Sequence, residues 1–230
     1  MIDERVDSGE RNMAFDAALL QSAIEGAIAP TLRFFDWSRP TVTIGYGQPR
    51  TDIDFAAISR GGLDFAVRPT GGRAVLHWDE LTYSVTIPTG HAIAELSVLE
   101  SYKLISLALA AGLKRLGLEI DLAKGEAGGH KNPSCFSSTS RFEIASAGRK
   151  LVGSAQRRKR GALLQQGSIP IGPQFRRLPE FFSAKNDLGE LTDKSTCISE
   201  CIENPPSRTE MIASIVAGFE EALGIRFEQQ

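Results

Sequence analysis

The segment Arg68-Pro69-Thr70-Gly71-Gly72-Arg73-Ala74-Val75-Leu76-His77 follows the apolar run Asp64-Phe65-Ala66-Val67 with no spacer. A strand that runs straight into Pro-Thr-Gly-Gly must turn sharply. Two adjacent glycines let the backbone do so and lie close against a ligand. Arg68, Arg73 and His77 would supply donors around that bare backbone. On spacing alone, a hairpin turn with incidental charges fits equally well. β-Forming residues continue on both sides, so strands are predicted at 32–37, 41–45, 64–67, 74–77 and 81–87.

Helices lie further out. One is predicted over Glu10–Ala23, with Ser8 as N-cap and Met13, Ala17 and Leu20 on one face. Ser97 and Glu100 form a capping box that opens a long helix. Its apolar residues Tyr102, Ile105, Leu109, Gly112 and Leu116 recur at helical spacing up to Gly117. Ser207 with Glu210 repeats the box for a last helix, striped by Ile212, Ile215, Val216 and Phe219 and closed by Gly224. After a Gly, Ser, Asn and Pro-rich loop at 124–140, strands are predicted at Arg141–Ala145, Lys150–Ala155 and Ala162–Ile169. Their turns would be Ser146–Arg149 and Arg157–Gly161. Strands and helices mix without βαβ alternation, which predicts an α+β fold. With no linker in sight, residues 1–230 are expected to form one domain.

Composition narrows the function classes. The 230 residues are 42% hydrophobic, enough for a sizeable core. The net charge of −2 gives no global pull toward nucleic acid. No apolar run approaches the ~20 residues of a membrane span, and the N-terminus lacks a signal peptide's apolar stretch. Three cysteines suit reduced thiols in a cytoplasm better than a secreted scaffold. Cys197 and Cys201 have no partnering Cys or His pair, so no metal site is expected there. No phosphate-cradling P-loop or dinucleotide fingerprint is present.

Three further stretches invite chemistry. Cys135 sits in a polar segment, four residues after Lys131 and fifteen before Lys150. A nearby cation favours the thiolate, the nucleophilic form, although a lone cysteine is more often inert. In Lys150-Leu151-Val152-Gly153-Ser154-Ala155-Gln156, the small residues Gly153, Ser154 and Ala155 leave room against the backbone. Arg157-Arg158-Lys159-Arg160 reads as a solvated hairpin tip, or as a docking patch for an acidic partner. His91 and His130 have no sequence partner.

These motifs, taken in order, resemble one family. Arg68–His77 followed by Asp79-Glu80-Leu81-Thr82-Tyr83-Ser84-Val85 is similar to the signature of lipoate–protein ligase A and the octanoyltransferases. So are Gly148–Gln156 with Gln165-Gln166-Gly167-Ser168-Ile169 and, upstream, Leu32–Trp37 and Thr43–Tyr46. The likeness runs from Asn12-Met13-Ala14 to Phe219–Gly224. Arg73, where the ATP-using ligases carry a further glycine, points to the cysteine-dependent octanoyltransferases. Ser137–Arg141 departs from that branch's Asp-Ala-Pro-Ser-aromatic run.

The resemblance implies the biotin/lipoate protein ligase catalytic-domain fold, a mixed β-sheet flanked by helices. The lipoate ligases usually carry or pair with an accessory domain, for which 230 residues are expected to leave no room after the last helix. It also implies a nucleophile at Cys135 and an essential lysine at Lys150. Substrate binding would fall to Arg68, Thr70, Gly71, Gly72, Arg73, His77, Gly153, Ser154 and Ala155. Octanoyl would arrive on the phosphopantetheine of octanoyl-acyl carrier protein, for which the charge run Arg157, Arg158, Lys159 and Arg160 is the expected docking patch. It would leave on a lysine of a lipoyl-domain acceptor such as the glycine cleavage H protein. No resident cofactor, metal, nucleic acid or membrane is implied. An ATP-dependent lipoate ligase, an amidotransferase between lipoyl-domain proteins and a non-catalytic lipoyl-domain binder remain as alternatives.

Overall fold

The structure, a computed structural model, describes residues 6–123, 142–184 and 193–228. Its centre is a five-stranded sheet of β1 (Val6–Asp7), β2 (Thr31–Trp37), β6 (Glu80–Ile87), β11 (Ala162–Pro170) and β10 (Gly153–Lys159), in the order β1-β2-β6-β11-β10. β1 pairs parallel to β2 and the other neighbours are antiparallel. A second sheet, in the order β4-β3-β5, comprises β3 (Thr41–Gly45), β4 (Asp64–Arg68) and β5 (Val75–His77). A third joins β7 (Asp121–Leu122), β8 (Ile144–Ser146) and β9 (Arg149–Lys150). The mixture of parallel and antiparallel pairs bears out the α+β expectation.

Alternation along β6 decides which face meets what, because successive side chains leave a strand on opposite sides. Leu81, Tyr83, Val85 and Ile87 join the main core with Ile105, Leu109 and Leu113 of one long helix and Met211, Ile215 and Phe219 of another. Those helices are α4 (Val98–Arg115) and α6 (Arg208–Leu223), and their capping boxes form as read from sequence. They meet backbone to backbone at Gly112 and Gly218, where an added Cβ on either would strike the other helix. The opposite face is polar. There, α1 (Gly9–Ile24) packs against β4, β6 and β11.

The smaller helices are α2 (Phe55–Gly61), α3 (Ala92–Glu95) and α5 (Ile198–Cys201). His91, given no role from sequence, caps α3 by accepting from the Ile93 amide at 3.2 Å. No helix among the described residues is long and apolar enough to cross a membrane.

Three expectations change. The face that α1 buries holds Asn12, Met13, Asp16, Leu19, Leu20 and Ala23, while Ala17 is exposed. The run expected as one strand, Lys150–Ala155, is broken at Leu151-Val152, so Lys150 belongs to the third sheet and Gly153 to the first. The basic run is not a turn. β10 continues to Lys159, and the reversal takes only Arg160 and Gly161, at φ +49° and +83°. Positive φ at both central residues is the hairpin turn whose twist matches its flanking strands.

Candidate functional site

The Arg68–Arg73 loop is braced from beneath. Arg68 is buried at the end of β4. It donates to the Thr43 carbonyl (3.2 Å) and hydroxyl (2.6 Å), and to the Gly71 and Arg73 carbonyls at 3.1 and 2.8 Å. Gly72 turns at φ +86°, a conformation that favours glycine. The tightest approach belongs to a glycine outside the motif: a Cβ on Gly45 would run into the Gly72 carbonyl.

Two polar clusters underlie this loop. In the first, Thr70 donates to Gln166 at 2.6 Å, and Gln166 donates to Asp16 at 2.6 Å. Arg33, whose side chain is 2% exposed, pairs with Asp16 at 2.8 Å, and Ser84 donates to Asp16 at 2.9 Å. Burial raises the Asp16 carboxyl above the ordinary range, against the pull of Arg33 and the hydrogen bonds from Arg33, Gln166 and Ser84.

In the second cluster, His77 Nδ1 lies 2.7 Å from Glu80 Oε1 and Nε2 lies 2.7 Å from Thr43 Oγ1. Thr82 and Ser168 also donate to Glu80. Trp37 stacks on His77 with centroids 4.1 Å apart and donates to Thr82 at 2.7 Å. Burial alone would raise the Glu80 carboxyl, but the His77 charge and the hydrogen bonds from His77, Ser168 and Thr82 hold it below the usual value.

Between the clusters lies a narrow cavity with about 20 Å³ of free space, lined by Met13, Phe35, Trp37, Arg68, Val75, His77, Thr82 and residues 153–155 and 166–168. That is room for roughly one water molecule, so a hydrocarbon chain enters only if side chains such as Met13 give way. Five expected substrate residues therefore share one cavity: Arg68, His77, Gly153, Ser154 and Ala155. Ser154 contributes backbone, because its hydroxyl turns to Tyr83 Oη at 2.8 Å on the other face. Burial pushes the Tyr83 phenol up to about 12, against hydrogen bonds to Ser154 and Gln165. Thr70 supports the cavity through Gln166. Gly71, Gly72 and Arg73 form the loop above Arg68.

Lys150 is not among the cavity walls. It is 1% exposed, and its Nζ lies 2.7 Å from Glu143 Oε1, itself only 4% exposed. Cys135, with His130, Lys131 and the segment Ser137–Arg141, lies outside the described residues. Cys197 is buried beside Val75 and Phe175, and burial raises its thiol. Among the described residues no group of His, Cys, Asp and Glu side chains is arranged to hold a metal ion.

The basic run is divided between surfaces. Arg157 donates to the Pro69 carbonyl at 2.6 Å and lies over the Tyr46 ring. Arg158 braces the junction of α3 and α4 through the Ala94 carbonyl, the Ser97 carbonyl and the Ser101 hydroxyl. Lys159 and Arg160 alone are exposed.

Sequence reasoning missed Glu143, Asp16, Arg33 and Glu80. A signal existed for Asp16, Arg33 and Glu143: a charged residue inside a predicted helix or strand, if buried, is held there by a partner.

Comparison with known proteins places these features in context. The family described as the lipoyl protein ligase A/B catalytic domain matches residues 8–220. Octanoyltransferase LipM of Moorella thermoacetica is 46% identical over 175 residues, which span 74% of this chain and 64% of the relative. Octanoyltransferase LipM of Symbiobacterium thermophilum is 37% identical over 98% of this chain and 86% of the relative. Among solved structures, a lipoate–protein ligase A bound with ATP superposes with a TM-score of 0.77 at 21% identity, covering 100% of this chain and 89% of the other. That similarity extends to the fold.

Proposed function

This chain belongs to the lipoyl protein ligase A/B catalytic-domain family, and within it we propose that the protein is an octanoyltransferase. It would move octanoyl from octanoyl-acyl carrier protein to a lysine of a lipoyl-domain protein such as the glycine cleavage H protein. The observation that carries this reading is the 37% identity to an octanoyltransferase across 98% of the chain. The buried Lys150 and the cavity under the Arg68–Arg73 loop supply groups that such chemistry uses.

The reaction runs through Cys135. Its thiolate attacks the carbonyl carbon of the carrier's thioester. The bond from that carbon to the phosphopantetheine sulfur breaks, and the pantetheine thiolate leaves and takes up a proton. The neutral amine of the acceptor lysine then attacks the enzyme thioester, loses a proton as the amide forms, and releases the Cys135 thiolate. One thioester replaces another in the first step, and amide formation makes the second favourable. No resident cofactor takes part. The Lys150 ammonium favours the thiolate and donates to the carbonyl oxygen as charge develops there, an effect worth ~3–4 kcal/mol for one good donor. An octanoyl chain buried under the Gly71-Gly72 loop would gain roughly 5–6 kcal/mol at ~0.8 kcal/mol per methylene.

Intact-mass spectrometry tests this. Mixing with octanoyl-carrier protein, without ATP or magnesium, should add one octanoyl group that hydroxylamine removes. Cys135→Ala should abolish the adduct, while Cys197→Ala and Cys201→Ala keep it. An adduct that survives Cys135→Ala overturns the nucleophile. A lipoyl domain modified only with ATP and free acid makes the protein a ligase.

A further inference from the structure

Glu143 is a buried carboxylate that the proposed reaction leaves unused and that pairs with Lys150. Its Oε1 lies 2.7 Å from Lys150 Nζ. Both partners are anchored through their backbones before any substrate arrives. The Glu143 carbonyl accepts from the Ala123 amide at 2.8 Å, tying it to the chain leaving β7. Lys150 pairs with Ala145 across the β8–β9 hairpin and bridges Ser195 on its other side, where the Thr196 amide donates to the Lys150 carbonyl at 2.9 Å. Arg176 holds that second clamp, donating to the Ser195 carbonyl at 2.7 Å and pairing with Glu200. A long, flexible lysine is thereby brought to one place by its main chain, and its ammonium meets an anion there.

We propose that Glu143 is the positioning residue for Lys150, holding its ammonium charged and fixed so that it can favour the thiolate and the developing oxyanion during acyl transfer. The role in transfer rests on the octanoyltransferase reading above. The physical ground is desolvation: an ammonium out of water tends to shed its proton unless a counter-charge compensates, and an anion within hydrogen-bonding distance does so. The other charged groups on packed elements are Arg149 and Arg176, both paired with Glu200, then Asp121 on β7, Asp193 and Lys194 beside Ser195, and Lys103 over the Phe142 ring. Glu143 is the carboxylate whose ion pair with Lys150 is seen.

The test compares wild type with Glu143→Gln, and with Glu143→Asp, which keeps the charge at shorter reach. The first readout needs no catalysis: the pH titration of the Lys150 side chain, followed by its ¹³Cε resonance and assigned by its loss in Lys150→Arg. In Glu143→Gln the transition should move to lower pH by about one unit or more. The second readout is acyl-enzyme formation. It should slow by roughly ten- to a hundredfold at saturating octanoyl-carrier protein, with KM moved less than about threefold and the alkaline limb of the pH profile displaced downward. Glu143→Asp should fall between, and it serves if Glu143→Gln does not fold. Titrations and pH profiles that superpose on wild type, even with a lowered Tm, overturn the proposal and leave a purely structural pair. Wild-type protein that takes up no octanoyl group overturns the transfer reading instead, and the same titration still decides whether Glu143 governs Lys150.

Discussion

Both oxygens of Glu80 are occupied inside the protein, one by His77 and Thr82 and the other by Ser168. Because its carboxyl is held below the ordinary value, the folded state binds a proton less readily than the unfolded chain. The stabilisation is therefore full above the unfolded carboxylate range, near ~4.3, and is lost as pH falls through the folded value below it. Glu80→Gln should cost about 3–5 kcal/mol at pH 7, the scale for breaking a buried pair. In urea titrations its deficit from wild type should shrink as the pH drops below ~4. Stability curves that stay parallel across that range would remove Glu80 from the acid response.

At the same scale, Gly45→Ala drives a methyl into backbone at the Gly72 carbonyl, and Gly167→Ala drives one into the Tyr83 ring. Each should lower stability by about 1–3 kcal/mol or more. Gly47→Ala meets open space and should leave the urea midpoint unchanged within ~0.5 kcal/mol.

Among the elements, the β10–β11 hairpin separates two roles within one basic run. Arg157 and Arg158 are consecutive strand residues, so their side chains leave on opposite faces. Arg158 satisfies two main-chain carbonyls and a hydroxyl at the junction of α3 and α4. Arg158→Ala should destabilise the fold by about 1–3 kcal/mol, the cost of leaving such acceptors without their donor. Arg160 stands at φ +49° in the turn. Arg160→Gly should be neutral or stabilising by up to about 1 kcal/mol, since the left-handed conformation costs an L-residue more than glycine. Equal losses in both variants would contradict this division of the run.

For the whole molecule, a net charge of −2 leaves attraction of the proposed donor, if it is acidic, to local patches. With Arg158 engaged in the fold, the exposed pair Lys159 and Arg160 is the part of the run free to steer encounter. Neutralising both should raise KM for octanoyl-carrier protein at low salt and flatten its salt dependence with little change in kcat, because rim charges act on association. An unchanged KM at low salt would take this hairpin out of carrier docking.

Sequence by itself determined the features whose partners are neighbours in the chain. Ser97 with Glu100 and Ser207 with Glu210 are three residues apart, and both capping boxes form. Gly224 ends its helix in the left-handed region, and Ala147-Gly148 makes its turn. The ordered motifs around Arg68–His77 and Gly148–Gln156 identified the family by likeness, without specifying what each residue touches. Only the tertiary structure decided the rest. Asp16 meets Gln166 across 150 residues, and Thr70 meets Gln166 across 96. Lys150 parts from Gly153 because the chain leaves one sheet for another at Leu151-Val152. Glu143 reaches Lys150 only after the β8–β9 hairpin closes. Local signals are set by backbone geometry within a turn or two of the chain. A buried charge finds its partner through folding, since desolvation fixes that it must be compensated while the arrangement of sheets fixes by which residue.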